Sequence, residues 1–116
     1  MKYLCLIYTD ETAVNRMTSD EMASRHQRYG AFTDSIKAGG QLLGGNALQP
    51  TGSAATVRVR NGTVSTTDGP FAETKEQLGG YYLVQARDLN EAIQLAARIP
   101  GAQEGAVEVR PITPMD

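Results

Sequence analysis

The chain opens on Met1-Lys2-Tyr3-Leu4-Cys5-Leu6-Ile7-Tyr8, a run with one charged residue, and turns polar at Thr9-Asp10-Glu11. A short run rich in aliphatic and aromatic side chains, bounded by polar residues, reads as a buried strand. Thr18 and Glu21 then stand at capping-box spacing, which satisfies amides otherwise orphaned at a helix start. Met22, His26, Tyr29 and Ile36 recur at helical spacing, so the first helix is expected to turn that stripe to the core. Gly39-Gly40 closes it before Gln41-Leu42-Leu43. From Ala55 to Arg60 the pattern alternates, with Ala55, Val57 and Val59 against Thr56, Arg58 and Arg60. Asn61-Gly62 suits a type I′ turn, so 55–60 and 63–67 form a hairpin. A loop over 68–77 follows, and residues 81–86 read as a strand with bulky apolar side chains on both faces. Gly79-Gly80 at its start predicts a bulge or a close backbone approach. Asp88 and Glu91 repeat the capping-box spacing. Leu89, Ile93 and Ala96 or Ala97 form the expected inner stripe of a second helix, which ends before Pro100-Gly101. A last strand over 106–112 alternates Val107 and Val109 against Glu108 and Arg110.

Strand, helix, strand with a hairpin, strand, helix, strand is the split βαβ order of an α+β ferredoxin-like plait with an extra β-hairpin. The first strand and the one before the second helix are central in that topology, and they are the two that are apolar on both faces. Right-handed crossovers carry both helices to one side of the sheet. The other side then exposes either Tyr3, Cys5 and Ile7 or Leu4, Leu6 and Tyr8, together with half of Tyr81, Tyr82, Leu83 and Val84. Soluble monomers rarely expose so large an apolar patch, so a homodimer with two-fold symmetry is expected.

Size and charge narrow the function. The 116 residues suit one domain over 1–116, and 41% hydrophobic with 21% charged residues is an ordinary globular balance that excludes disorder. A net charge of -2 without a basic block argues against nucleic acid as a partner. The apolar start is too short for a secretory signal or a membrane span, and the single Cys permits neither an internal disulfide nor a structural zinc site. A cytoplasmic protein with no metal and no cofactor is the expectation.

The segment from Thr66-Thr67-Asp68-Gly69-Pro70-Phe71-Ala72-Glu73 through Thr74-Lys75-Glu76-Gln77-Leu78-Gly79-Gly80-Tyr81 closely resembles the signature of the DGPF-type branch of the YCII-related proteins. Met1-Lys2-Tyr3, Ala31-Phe32-Thr33, Thr56-Val57-Arg58 and Val107-Glu108-Val109-Arg110-Pro111 extend the resemblance over nearly the whole chain. It implies a ferredoxin-like subunit that pairs into a dimeric α+β barrel. The resemblance supplies no established reaction. It implies a cleft with a His and Asp pair, and an association with extracytoplasmic-function sigma factors, under which the alternative role is a non-catalytic regulatory or interaction module with a protein partner.

His26 is the only histidine, and an imidazole lining a cleft is the first candidate for proton transfer near neutral pH. Asp68 is assigned as its orienting partner by loop position. In Asp68-Gly69-Pro70-Phe71 the Asp can cap its own turn, Pro stiffens the loop and Phe71 is expected to anchor it in the core. Arg25 and Arg28 flank His26 and could bind an anion bidentately; Tyr29 and Lys75 complete the candidate ligand contacts. Cys5, inside the first strand, reads as a small hydrophobe. No phosphate-cradling loop, zincin helix or nucleophile elbow is present. The leading reading is a homodimeric, metal-independent enzyme or small-molecule binder, with its cleft between the first helix, the hairpin and the loop at Asp68.

Overall fold

Strand β1 (Lys2–Thr9) alternates as its sequence suggests, and the two sides have different fates: Tyr3, Cys5, Ile7 and Thr9 are buried, while Leu4, Leu6 and Tyr8 are only half-buried. The computed structural model describes residues 1–115. After β1 come α1 (Glu11–Asn15), α2 (Ser19–Ala38), β2 (Leu42–Ala47), a 3₁₀ turn (Thr51–Ser53), β3 (Ala55–Arg60), β4 (Thr63–Asp68), β5 (Gln77–Gln85), α3 (Leu89–Ala96), α4 (Gly101–Glu104) and β6 (Ala106–Pro111). A four-stranded antiparallel sheet runs in the order β2-β5-β1-β6, so the two strands expected at the centre are the central pair. The architecture is α+β. No helix among the described residues is long and apolar enough to cross a membrane.

Local signals place several boundaries. The Thr18 hydroxyl accepts from the Glu21 amide and the Glu21 carboxylate accepts from the Thr18 amide, which starts α2 and holds the Glu21 carboxyl below its ordinary range. Asp88 caps α3 by accepting from the Glu91 amide. Asn61 and Gly62 both adopt positive φ, 52° and 77°, as the type I′ turn between β3 and β4 requires. That hairpin forms a sheet of its own instead of joining the main one. Strand β2, which pairs with β5, comes instead from Leu42–Ala47.

Both long helices pack on one side of the sheet. Phe32 and Ile36 of α2, and Ala92, Leu95 and Ala96 of α3, share a core with Tyr3, Cys5, Ile7, Val84, Ala86 and Ile99. This corrects the stripe expected for the second helix: Leu89 and Ile93 are 45% and 49% exposed, and the inward face is Ala92, Leu95 and Ala96. Two alanines let the helix backbone approach the sheet closely, whereas Leu89 and Ile93 would hold it away. Phe71 is corrected as well. It is 80% exposed, and its ring lies 5.5 Å from the Arg58 guanidinium carbon instead of in the core.

The opposite side of the sheet carries no helix. Register places Leu4 beside Leu83, Leu6 beside Tyr81 and Tyr8 beside Leu78, all half-buried, with Glu108 and Arg110 of β6 at their flank. The molecule is a plate of 47 × 47 × 18 Å with a radius of gyration of 16.1 Å. A compact domain of 116 residues has a radius of about 13 Å, so this chain is spread out rather than closed on itself.

Cys5 shows what the core does to an ionisable group. Its side chain is fully buried, and burial pushes the thiol up to about 11. The folded chain therefore holds the proton between pH 9 and pH 11 where the unfolded chain releases it, and stability is full below pH 9 and falls as pH rises through 11. The expected loss is about 2 to 3 kcal/mol over that window. Urea unfolding across the range should show the decline in the native chain and a shallower one in Cys5→Ala. An equal slope in both would contradict it.

Candidate functional site

Two irregularities in β5 open a cleft between the sheet and α2. The β1–β5 register slips between Ile7 and Tyr8, leaving Gly79 as an extra residue opposite them, as the Gly79-Gly80 pair led one to expect. Across the other edge, β2 passes so close that a Cβ on Gly45 would lie 2.9 Å from the Tyr81 carbonyl oxygen and from Cδ1 of Tyr82. Glycines therefore pave the wall at Gly45, Gly79 and Gly80, and the cleft above them has a volume of about 430 Å³. Ile7, Thr9, Ala47, Tyr81 and Tyr82 line the sheet side; Arg25, His26, Tyr29 and Thr33 line the helix side.

The polar groups in the cleft are mutually oriented. The Thr33 hydroxyl donates to the Tyr29 carbonyl at 2.9 Å, so its 2.7 Å contact with Tyr82 must be the Tyr82 hydroxyl donating to Thr33. On the other face of the sheet, outside the cleft, the Asn46 side chain donates to the Tyr81 hydroxyl at 2.9 Å. Arg25 Nε donates to both carboxylate oxygens of Glu104, at 2.9 and 3.1 Å, and its guanidinium carbon lies 5.1 Å from the Tyr29 ring centre. Burial raises the Tyr29 phenol above its ordinary range, and the positive charge of Arg25 partly opposes that. An imidazole, a guanidinium and a phenol thus face a largely apolar, concave surface, which is the usual make-up of a small-molecule site.

A family profile described as the YCII-related domain matches residues 1–116, the whole chain. The chain belongs to the YCII-related family. It is also similar to an uncharacterised protein of Rhizobium meliloti, 37% identical over 114 residues that cover 97% of this chain and 92% of that protein.

In this YCII-related chain the sequence-derived candidates part company. Arg25, His26 and Tyr29 come together in the cleft. His26 stands exposed at its rim and not on the buried stripe. At about 100° per residue it falls about 80° around α2 from Ile36, on the flank of the packing face. Arg28 reaches toward Glu104 at 3.8 Å from outside. Asp68 ends β4 opposite Ala55; it is exposed, does not line the cleft, and makes neither a hydrogen bond nor an ion pair with His26 among the described residues. Lys75 is exposed on the following loop and also lies outside the cleft. Pattern reading had no means of finding Glu104 or the Thr33–Tyr82 pair, because both partners are brought together only by the fold. Among the described residues no three His, Cys, Asp or Glu side chains gather as a metal site would need.

A second, more open groove of about 660 Å³ lies beyond the β1–β5 bulge. Tyr8, Leu48, Pro50, Pro70, Phe71 and Leu78 line it, and among the described residues it holds no histidine, arginine or carboxylate. The Glu11 carboxylate braces its rim by accepting from the Thr51 amide at 2.7 Å and the Thr51 hydroxyl at 2.8 Å.

Proposed function

We propose that this protein binds a small molecule in the cleft beside His26, with His26 as general acid or base on that molecule, and that it works as a homodimer. The observation that carries the reading is the convergence of Arg25, His26 and Tyr29 on a concave wall of bare glycine backbone. Rim exposure suits His26 to its role, since an imidazole in contact with water can reload its proton after each transfer. The orienting role assigned to Asp68 is not part of the proposal, because among the described residues Asp68 neither lines the cleft nor bonds to His26.

Pairing rests on the uncovered side of the sheet. The strand order β2-β5-β1-β6 with both long helices on one face supports a ferredoxin-like plait, in which Leu4, Leu6, Tyr8, Tyr81 and Leu83 would offer the opposite face to a second copy. Two such plates, face to face, make a dimeric α+β barrel. The plate-like shape and the exposed Phe71 support that pairing. The segment 66–81 supports placement in the DGPF-type branch, and the single buried thiol suits a reducing cytoplasm.

A thermal-shift screen of metabolites, followed by turnover assays on the hits, tests the function. His26→Ala should fold as well as the native protein, because the side chain it removes is exposed, yet lose about 100-fold or more of turnover. Full activity in that variant would remove His26 from the chemistry.

A further inference from the structure

We propose that the ligand of the His26 cleft is a small apolar monocarboxylate, held by the terminal nitrogens of Arg25. This rests on the reading of the cleft as the binding site and adds the class of molecule it takes.

Arg25 is fixed from two directions. Glu104 holds it through Nε alone, with both carboxylate oxygens on that one nitrogen, and the Tyr29 ring lies against the guanidinium. The side chain is 15% exposed, so it is neither a solvated surface group nor free to swing away. Its terminal nitrogens Nη1 and Nη2 have no hydrogen-bond partner among the described residues, although Arg25 lines the cleft. Among the described residues no buried polar side-chain atom lacks a partner, so these two nitrogens are open to solvent, and their planar fork of parallel N–H groups matches a carboxylate.

Charge selects among anions. Arg25 and Arg28 face one carboxylate, Glu104, at 2.9 and 3.8 Å, which leaves one positive charge at this corner. A monoanion balances it, whereas a phosphate dianion would overshoot and meet the repulsion of Glu104. The rest of the wall favours an apolar body: Gly45, Gly79 and Gly80 present no side chains, and Ile7, Ala47 and the Tyr82 ring supply contact surface. Glu104 is a positioning residue here, since it touches Arg25 and not the ligand.

Calorimetric titration of the native chain with benzoate, benzamide and phenyl phosphate separates the possibilities. Benzoate should bind with a dissociation constant in the millimolar range, with benzamide and phenyl phosphate at least about ten-fold weaker. Arg25→Gln should lose the preference for benzoate over benzamide. Equal binding of benzoate and benzamide, tighter binding of phenyl phosphate, or undiminished benzoate binding by Arg25→Gln would each overturn the clamp. Amide chemical shifts recorded alongside tell this failure from that of the site itself. If both benzoate and benzamide move Thr33, Gly79 and Gly80 without preference, the clamp falls and the cleft stands. If neither moves them, both readings fall.

Discussion

Gly105→Ala is expected to destabilise the fold by about 3 kcal/mol or more, the largest effect of any single added methyl group in this chain. A Cβ at that position would lie 2.1 Å from the Tyr8 carbonyl oxygen, 2.6 Å from Glu76 Oε2 and 3.1 Å from the Thr9 Cα. The Glu76 carboxylate can swing aside. Tyr8 and Thr9 cannot, because they belong to central strand β1, paired to β5 on one side and, at Tyr8, to Ala106 on the other. The clash therefore forces β6 off the sheet at its first residue pair, and the α4–β6 junction opens with it. Gly52→Ala is the control: its new Cβ meets nothing within 4 Å, and it should change stability by no more than about 0.5 kcal/mol. Urea unfolding of both variants reads the difference as a displaced midpoint. A Gly105→Ala midpoint equal to that of the native chain would contradict the packing described here.

If the protein pairs as proposed, Leu6→Glu is expected to convert that dimer into folded monomers. Leu6 sits in the middle of the helix-free face, between Tyr81 of β5 and Glu108 of β6. In the proposed pair, each chain would bury a new carboxylate on this face, already beside a Glu108 of like charge. Unpaired charges cost several kcal/mol each to desolvate, so the dissociation constant should rise by at least about 1,000-fold. The monomer has little reason to unfold, because Leu6 lies outside the core that α2 and α3 share with the sheet. Light scattering should report a mass of 12.5 kDa for Leu6→Glu and twice that for the native chain. Gln94→Glu adds the same charge on the exposed side of α3 and should leave the dimer intact. A native chain that stays single at micromolar concentration would contradict the pairing.

How legible each part was in the sequence follows from the range of the interaction behind it. The capping box at Thr18, the N-cap at Asp88 and the turn at Asn61-Gly62 are contacts between residues three or fewer apart, and all three were readable. The central place of β1 and β5 was readable too, since strands buried or half-buried on both sides lack polar alternation. Strand β2 was not delimited, because Gly44, Gly45 and Asn46 are poor strand formers that hold an extended shape only through pairing with β5. Gly45 is there because the Tyr82 ring leaves no room for a side chain. Helix α1 left no mark in the pattern: its cap, Asp10 accepting from the Thr12 amide, lies inside a polar stretch with no apolar stripe.

The candidate site divides the same way. Arg25, His26 and Tyr29 share one stretch of helix, and helical spacing alone brings them together. Asp68 was joined to His26 by its place in a loop, a link that depends on where the hairpin stands relative to the sheet, and local pattern carries no such information. Leu89 and Ile93 were placed inward by helical spacing together with Ala96 or Ala97; of these Ala96 packs inward, beside Ala92 and Leu95, while Leu89 and Ile93 are exposed. For α3, tertiary geometry overrode a reasonable local preference.

The location of the functional site can be tested by one structure. Crystals of the native chain, soaked with the strongest hit of the thermal-shift screen, should show that molecule between α2 and β5, in contact with His26, Tyr29 and the Gly79-Gly80 backbone. Density for it in the groove beside Phe71 and Tyr8, with only water next to His26, would contradict the account.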